Sequence, residues 1–243
     1  GTVFIGSGRM HHSYPNTDLP DGVATVLDIN WGSGAGSSGD PTKAALLLGR
    51  AARVETMAFN YPGQSPTSNP TEWGSTIQPD PADLSWDQVV HQCHFQKSYV
   101  AADFRGSLCG NQAIGSMVFT ENRGAPIKAA LWLDFVTDWC TIRDNQFNAN
   151  WVDPFQGYRT LLIWMKGNGI PYRIDGNDWV TLQRCDAFGY YQGVAIRGGV
   201  GNERTGPYAV IDSDFDACQD CVVVYADNSY AQPIYVRGCR FNP

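Results

Sequence analysis

The feature that most constrains the fold of this chain is a six-residue pattern that occurs seven times. Each copy has an apolar residue, two outward positions, a small or sulfur-containing residue, one more outward position and a phenylalanine. The copies begin at Val54, Val90, Ile114, Ile142, Leu182, Val210 and Val236, and their phenylalanines are 36, 24, 28, 41, 27 and 26 residues apart. A unit of about 25 residues that cannot bury its own apolar face must stack on copies of itself. The sequence therefore predicts a solenoid.

The spacing of the apolar residues within each copy predicts two short strands joined by a bend. Apolar residues at the first, fourth and sixth positions fit neither a helix face nor one straight strand. Further β-rich runs precede most copies, at 44–48, 129–133, 160–164, 193–196 and 221–225. We therefore expect one all-β domain over 1–243, a right-handed parallel β-helix with about 25 residues per coil. An immunoglobulin-type sandwich is the alternative, but it does not predict the same inward triplet seven times.

Composition and charge exclude several classes of function. The net charge of -7 argues against a nucleic-acid partner, because phosphate binding needs a basic surface. No apolar run reaches 18 residues, so we expect no segment that spans a membrane.

The seven cysteines are better explained by packing than by disulfides or metal. Cys93, Cys185 and Cys239 occupy the fourth position of their copies, where other copies carry methionine, asparagine or serine. Cys218 and Cys221 have the spacing of a metal or redox pair, but no second pair accompanies them. We expect no metal and no cofactor.

The termini and the longest spacings predict features beyond the regular coil. Residues 1–5 already have the pattern of a strand, and the chain stops two residues after Phe241. Because solenoids need capped ends, we expect this sequence to be a fragment of a longer chain, or another domain to cover each end. The two longest spacings predict inserted loops at about 61–86 and 149–178, which either bind a ligand or cover a face of the coil.

Stacking of the copies aligns outward side chains in columns, with neighbouring coils about 4.8 Å apart. The fifth position gives the column Ala58, His94, Val118, Gln146, Asp186, Asp214 and Arg240. The third position gives Thr56, Gln92, Ser116, Asp144, Arg184, Asp212 and Gly238. The carboxylates are concentrated in the C-terminal half of both columns.

Two of these carboxylates, Asp186 and Asp214, are the leading catalytic candidates, although an extra residue, Ala187, leaves the placement of Asp186 uncertain by one position. Two like charges on adjacent coils repel by about 3 kcal/mol at an effective dielectric constant near 20, and such a pair tends to share one proton. Carboxyl groups about 5 Å apart suit retaining glycoside hydrolysis, and wider pairs suit inversion.

Three further carboxylates are candidates with a different geometry. Asp144 and Asp212 are two coils apart with Arg184 between them. The distance between their carboxyl groups would therefore be nearer the wider separation that suits inversion. Glu121, just after Phe119, is a separate candidate. The alternative is that all these carboxylates form a structural row beside turns, neutralised by Arg184 and Arg240.

Aromatic and amide side chains near the interrupted coils are candidates for binding a sugar, whose ring faces are apolar and whose rims carry hydroxyls. The predicted substrate-binding residues are Arg184, Gln146, Trp151, Tyr158, Tyr190 and Tyr191.

The stretch Ala52-Arg-Val-Glu-Thr-Met-Ala-Phe-Asn-Tyr-Pro-Gly-Gln64 and the opening Ile5-Gly-Ser-Gly-Arg9 resemble the pectate-lyase-like parallel β-helices of bacteriophage tailspikes. This resemblance implies a homotrimer in the virion tail that binds bacterial surface polysaccharide, often cleaves it, and contacts other virion proteins through missing domains. The Gly-His-Gly and Arg-Ile-Lys segments of polygalacturonases are absent. No family catalytic residue is therefore assigned to a numbered position, and the aspartate candidates depend on the columns alone.

Three hypotheses about function follow. The first is a tailspike-type receptor-binding protein with depolymerase activity, with glycoside hydrolysis favoured over lyase chemistry. The second is a non-catalytic glycan-binding adhesin or virion component. The third is a secreted bacterial polysaccharide lyase or epimerase.

Overall fold

The computed structural model describes residues 3–5, 25–34, 40–83, 86–109, 113–152, 157–198, 206–225 and 233–243. These residues form an all-β parallel solenoid of three sheets, which we name A, B and C. Sheet A contains β1 (Val3–Ile5), β4 (Arg53–Glu55), β7 (Gln88–His91), β10 (Met117–Thr120), β13 (Cys140–Arg143), β16 (Val180–Gln183), β19 (Tyr208–Ile211) and β22 (Ile234–Arg237).

Sheets B and C complete each turn of the solenoid. Sheet B contains β2 (Thr25–Asp28), β5 (Met57–Asn60), β8 (His94–Gln96), β11 (Arg123–Ala125), β14 (Gln146–Asn148), β17 (Asp186–Phe188), β20 (Asp214–Asp216) and β23 (Arg240–Asn242). Sheet C contains β3 (Leu46–Leu48), β6 (Ile77–Pro79), β9 (Val100–Arg105), β12 (Ala129–Asp134), β15 (Tyr172–Ile174), β18 (Gln192–Arg197) and β21 (Asp220–Tyr225). Each strand pairs in parallel with its counterpart in the next coil, so the predicted solenoid of parallel strands is confirmed.

A left-handed residue makes the bend between each sheet A strand from β4 to β22 and the sheet B strand that follows it. The corner residues have φ from 48° to 66°, and they are Thr56, Gln92, Glu121, Asp144, Arg184, Asp212 and Gly238. This conformation costs a non-glycine residue about 1–2 kcal/mol. Backbone hydrogen bonds to the next coil offset that cost, as from the Asp144 N–H to the Gln183 carbonyl at 3.1 Å. The predicted corner between two short strands is confirmed.

The third copy of the pattern is shifted by five residues from the predicted one. Phe119 is the register partner of Val90 and Ile142, so it stands at the first position and not at the sixth. The sixth position belongs to Gly124, which is paired with Phe95. The prediction aligned this copy with the others by placing Phe119 at the sixth position. In the structure, the copy is aligned with the others at its corner residue, Glu121.

The fifth copy also departs from the predicted register. Ala187 is aligned with Phe147 and Phe215, which leaves Phe188 half-buried and one place beyond the column. The ring of Tyr172 fills the space beside Ala187, with its centroid 5.6 Å from that of Phe147. An aromatic ring from sheet C thus replaces one missing from sheet B.

Buried amide and thiol groups occupy the fourth position. The Asn145 Oδ1 accepts hydrogen bonds from the N–H and the Nδ2 of Asn122 at 2.9 and 3.1 Å, and the Asn145 Nδ2 donates to the carbonyl of Phe119 at 2.8 Å. Burial raises the pKa of Cys93 to about 12 and that of Cys185 to about 11. These two cysteines are free and buried, as predicted, while Cys239 in the last coil is partly buried.

One predicted strand, at 160–164, is wrong. Arg159–Asn168 forms the helix α1, and the strand of this coil is β15 instead. Leu161 and Met165, four residues apart, are buried on one helix face while Ile163 is exposed, which is the periodicity of a packed surface helix. No helix of the described residues is both long and apolar enough to cross a membrane.

The two predicted loops contain regular structure and contact each other. Segment 61–86 includes β6, and segment 149–178 includes α1 and β15. The Leu161 N–H donates to the carbonyl of Pro66 at 3.2 Å, so the helix is held against the first loop. Residues 84–85 and 153–156 of these loops, and residues 6–9 of the opening motif, lie outside the described part of the chain.

Candidate functional site

Asp186 and Asp214 are register partners on the adjacent strands β17 and β20. The predicted column is therefore correct at these two positions, and Ala187 does not displace Asp186. Paired parallel strands lie about 4.8 Å apart. The two carboxyl groups leave sheet B on the same side and on neighbouring coils, with the half-buried Gln146 one coil before them.

Burial and charge give Asp186 an unusual pKa. Burial, together with the nearby charges of Asp214 and Asp216, raises the pKa of its carboxyl from 3.8 to about 6, while a hydrogen bond from Gln146 and the charge of Arg240 partly oppose this rise. The Gln146 Nε2 lies 3.1 Å from the Asp186 Oδ2. A carboxyl that is protonated up to this pH can donate a proton near neutrality.

Asp214 has a different environment from its partner. Arg240 on the next coil donates from Nε to the Asp214 Oδ1 at 3.0 Å and also donates to Oδ2. Asp186 is hydrogen-bonded to a neutral amide, whereas Asp214 is bound by a guanidinium. Different environments for two adjacent carboxyl groups are the usual basis for separate acid and base roles.

The corner carboxylates form ion pairs. Arg184 donates from Nε to the Asp144 Oδ1 at 2.6 Å and from a terminal nitrogen to Oδ2 at 2.9 Å, and Arg143 lies 3.0 Å from the same carboxylate. The Arg184 hydrogen bond holds the pKa of Asp144 below its usual range. Asp212 lies on the other side of Arg184 and is exposed. The predicted order Asp144, Arg184, Asp212 is correct, but this arrangement favours charge neutralisation.

The shift of the third copy changes both predicted columns. Glu121 takes the corner position assigned to Ser116, and Arg123 takes the position assigned to Val118. The exposed Glu121 accepts a hydrogen bond from Gln92 at 2.8 Å. Glu121 therefore belongs to the same column as Asp144 and is not a separate site.

Two of the predicted sugar-binding aromatics are buried, and these predictions are wrong. Tyr190 is fully buried and its hydroxyl donates to the carbonyl of Pro126 at 3.1 Å. Trp151 is also buried, because its segment packs under β11 and α1. Tyr158 and Tyr191 are half-buried. The Tyr158 hydroxyl donates to the carbonyl of Gln64 at 3.3 Å.

The structure reveals an exposed aromatic pair that the sequence reasoning missed. Trp139 and Trp179 are 63% and 50% exposed, and their ring centroids are 5.0 Å apart. They stand directly before the register partners Cys140 and Val180 of sheet A. The repeated Asp-Trp before an apolar residue, at 138–140 and 178–180, was the available signal.

The described residues contain no group of three or more His, Cys, Asp or Glu side chains that could hold a metal ion. The two carboxyl groups of Asp186 and Asp214 are flanked by an amide and a guanidinium, which is a set suited to proton transfer and to binding hydroxyl groups.

Comparison with known proteins identifies no relative. No family model matches the chain, and neither a curated protein nor a solved structure matches it.

Proposed function

We propose that the chain is a right-handed parallel β-helix of the tailspike type that binds bacterial surface polysaccharide and cleaves it by glycoside hydrolysis. The single observation that carries cleavage is the Asp186–Asp214 pair, with the two carboxyl groups in register on adjacent coils and in different environments. A connection between parallel strands of one sheet is right-handed in about 98% of cases, which supports a right-handed helix. A coil length of about 25 residues, where no loop is inserted, agrees with the spacing of the sequence repeat. The resemblance of residues 52–64 supports a homotrimer in the virion tail.

The pair supports a retaining mechanism. Asp186 donates its proton to the glycosidic oxygen as the bond breaks, and the carboxylate of Asp214 attacks the anomeric carbon to form a covalent glycosyl intermediate. Asp186, now ionised, takes a proton from the water that releases the sugar. Gln146 fixes the orientation of Asp186, and Arg240 fixes that of Asp214.

The outer face of sheet A offers a path for the sugar chain. Trp179 lies five residues before the corner residue Arg184, a span of about 16 Å in an extended strand, and Asp186 follows two residues after that corner. A glycan of several units that runs along β16 would stack on Trp139 and Trp179 and reach the carboxylates at the corner. Gln183 and Arg184 along this path can bind hydroxyl groups.

The experiment incubates the full chain with capsule or lipopolysaccharide from candidate hosts and measures new reducing ends. Asp186→Asn and Asp214→Asn should each lower the rate by about 100-fold or more without lowering the melting temperature below that of the native chain. Asp144→Asn and the sheet B control Asp28→Asn should keep the native rate. Product formation by both Asp186→Asn and Asp214→Asn at the native rate would refute this catalytic pair.

Binding without cleavage is the second candidate, and one observation favours it. Asp144 and Asp214 are both bound by two nitrogens of an arginine from the next coil, an arrangement that stabilises a carboxylate row without any chemistry. Retention of the chain on a host glycan that yields no product would favour this role. The third candidate is a secreted lyase or epimerase. Such an enzyme should sediment as a monomer, and a lyase should also release unsaturated uronates that absorb in the ultraviolet.

A further inference from the structure

A polar cluster on the outer face of sheet C has no role in the proposed cleavage. We define the sheet C cluster as Asp103, Arg105, Trp132, Arg173, Asp175 and Arg197. Asp103, Trp132 and Arg173 are register partners on β9, β12 and β15. Asp175 and Arg197 follow the register partners Ile174 and Ile196, so they are neighbours on adjacent coils. Side chains two residues apart on a strand point to the same face, so the row of Asp103, Trp132 and Arg173 and the row of Asp175 and Arg197 share the outer face of sheet C.

One half of this cluster is internally satisfied. The guanidinium carbons of Arg105 and Arg173 each lie 3.8 Å from the centroid of the Trp132 ring. Arg105 donates to the fully buried Asp103 at 2.7 and 2.6 Å. The Asp175 Oδ2 accepts from the Trp132 Nε1 at 2.8 Å and from the Arg173 Nε at 3.0 Å. These contacts hold the side chains in fixed positions.

The other half has unused hydrogen-bonding groups. Within the part of the chain that the structure describes, the buried Nε of Arg197 has no acceptor and the buried Oδ1 of Asp175 has no donor. Among the described residues, Arg197 forms no ion pair. Its guanidinium carbon lies 4.2 Å from the centroid of the Tyr225 ring. A buried polar group without a partner is destabilising, and a ligand that supplies the missing hydrogen bond would remove this cost.

The charges around Arg197 favour an anion. Burial lowers the pKa of Arg173, and although Asp175 opposes this, repulsion from Arg197 and Arg105 lowers it further. Burial also lowers the pKa of Lys128, as does repulsion from Arg173 and Arg197. Arg173, Arg197 and Lys128 therefore repel one another, and the guanidinium nitrogen without an acceptor belongs to Arg197. A negative charge at this place would relieve the repulsion.

We propose that Arg197, together with Arg173, binds the carboxylate of an acidic sugar, and that Asp175 binds a hydroxyl group of the same sugar. A planar carboxylate matches the fork of a guanidinium. The unused Asp175 oxygen needs a donor, which a uronic acid supplies through its hydroxyls and a fully ionised inorganic anion does not. The site is separate from the carboxylates of sheet B, and binding there does not require cleavage.

The test is calorimetric titration of the full chain with galacturonate, glucuronate and mannuronate oligomers, and with the same oligomers after reduction of their carboxyl groups. At least one acidic oligomer should bind, its reduced form should not, and the affinity should fall as salt rises. Arg197→Gln should weaken binding by about tenfold or more, since a hydrogen bond to a charged group is lost. Arg237→Gln, an exposed arginine of sheet A, is the matched control and should bind as the native chain does.

Arg197→Lys keeps the charge without the planar fork and should show intermediate affinity, which protects the test against misfolding of one variant. Inorganic sulfate, which is fully ionised and has no hydroxyl donor, should not compete at the same concentration. The proposal is overturned if no acidic oligomer binds, if the reduced oligomers bind equally well, or if Arg197→Gln binds as tightly as the native chain. Release of reducing ends from a neutral glycan alone would leave the proposed hydrolase standing while this acidic-sugar site fails.

Discussion

The ring of Phe119 occupies the space that Gly124 leaves open in the phenylalanine column of sheet B. Its centroid lies 6.4 Å from that of Phe95 and 6.2 Å from that of Phe147, the two residues between which Gly124 is aligned. A first-position residue of one coil thus completes the stack that the sixth position interrupts. The aromatic column stays continuous although the repeat is broken, because packing requires filled volume and not a particular position in the sequence.

Gly124 should tolerate no side chain. A Cβ at this position would overlap the backbone of Phe95, and the glycine has φ +137°, where side chains are strained. We expect Gly124→Ala to lower the free energy of unfolding by about 2–4 kcal/mol, measured by denaturant unfolding. Gly167→Ala in α1, where nothing lies within 4 Å, should be neutral or stabilising by up to about 1 kcal/mol. Equal effects of the two substitutions would contradict the packing described for β11.

Asn145 should be essential to the corner because it bonds to two backbone groups at once. Replacement by leucine, which has a similar volume, leaves the Asn122 N–H and the Phe119 carbonyl without their partner. Two unsatisfied buried groups should cost about 2–4 kcal/mol of stability, measured as a shift of the urea midpoint. The same substitution at the exposed Asn30 should change it little. A stable Asn145→Leu protein would mean that the amides are replaceable fillers.

Asp186 should make stability depend on pH in a particular direction. Its pKa is raised in the fold to about 6 from 3.8, so between these values the folded state binds more protons than the unfolded state. The contribution is fully present below the unfolded pKa and is lost as pH rises through the folded pKa. Asp186→Asn should therefore have a higher melting temperature than the native chain at pH 7.5, and the difference should vanish near pH 4.

The melting curves of both proteins, recorded from pH 4 to 8, check this expectation. Asp28→Asn, an exposed carboxylate on the same sheet, should follow the native curve throughout. A difference between Asp186→Asn and native that grows towards low pH would have the wrong sign and would refute the raised pKa.

Trp139 and Trp179 should bind glycan and contribute little to folding. They are exposed in the free chain, so the double substitution Trp139→Ala and Trp179→Ala should leave the melting temperature almost unchanged. Affinity electrophoresis in a host polysaccharide should show binding weakened by several-fold, because aromatic stacking is worth about 0.5–1.5 kcal/mol per contact. Ile163→Ala, equally exposed on α1, serves as the control. Unchanged retention of the double variant would exclude this aromatic pair from the binding face.

The repeat of the sequence was sufficient to predict the parallel solenoid, the corner between two strands, and the neighbourhood of Asp186 and Asp214. These follow from periodicity alone, because equivalent positions of consecutive coils must pair in register. The sequence also showed the order of Asp144, Arg184 and Asp212 along the corner.

Only the tertiary structure decided where the repeat is broken and which side chains remain accessible. The shift at Gly124, the helix at Arg159–Asn168 and the burial of Tyr190 depend on which neighbours fill a given volume, and such contacts join residues from different coils. The ion pair of Arg184 with Asp144 and the unsatisfied groups of the sheet C cluster also arise between coils. Periodicity determines the register of a solenoid, whereas burial and charge at each position depend on the particular residues stacked above and below it.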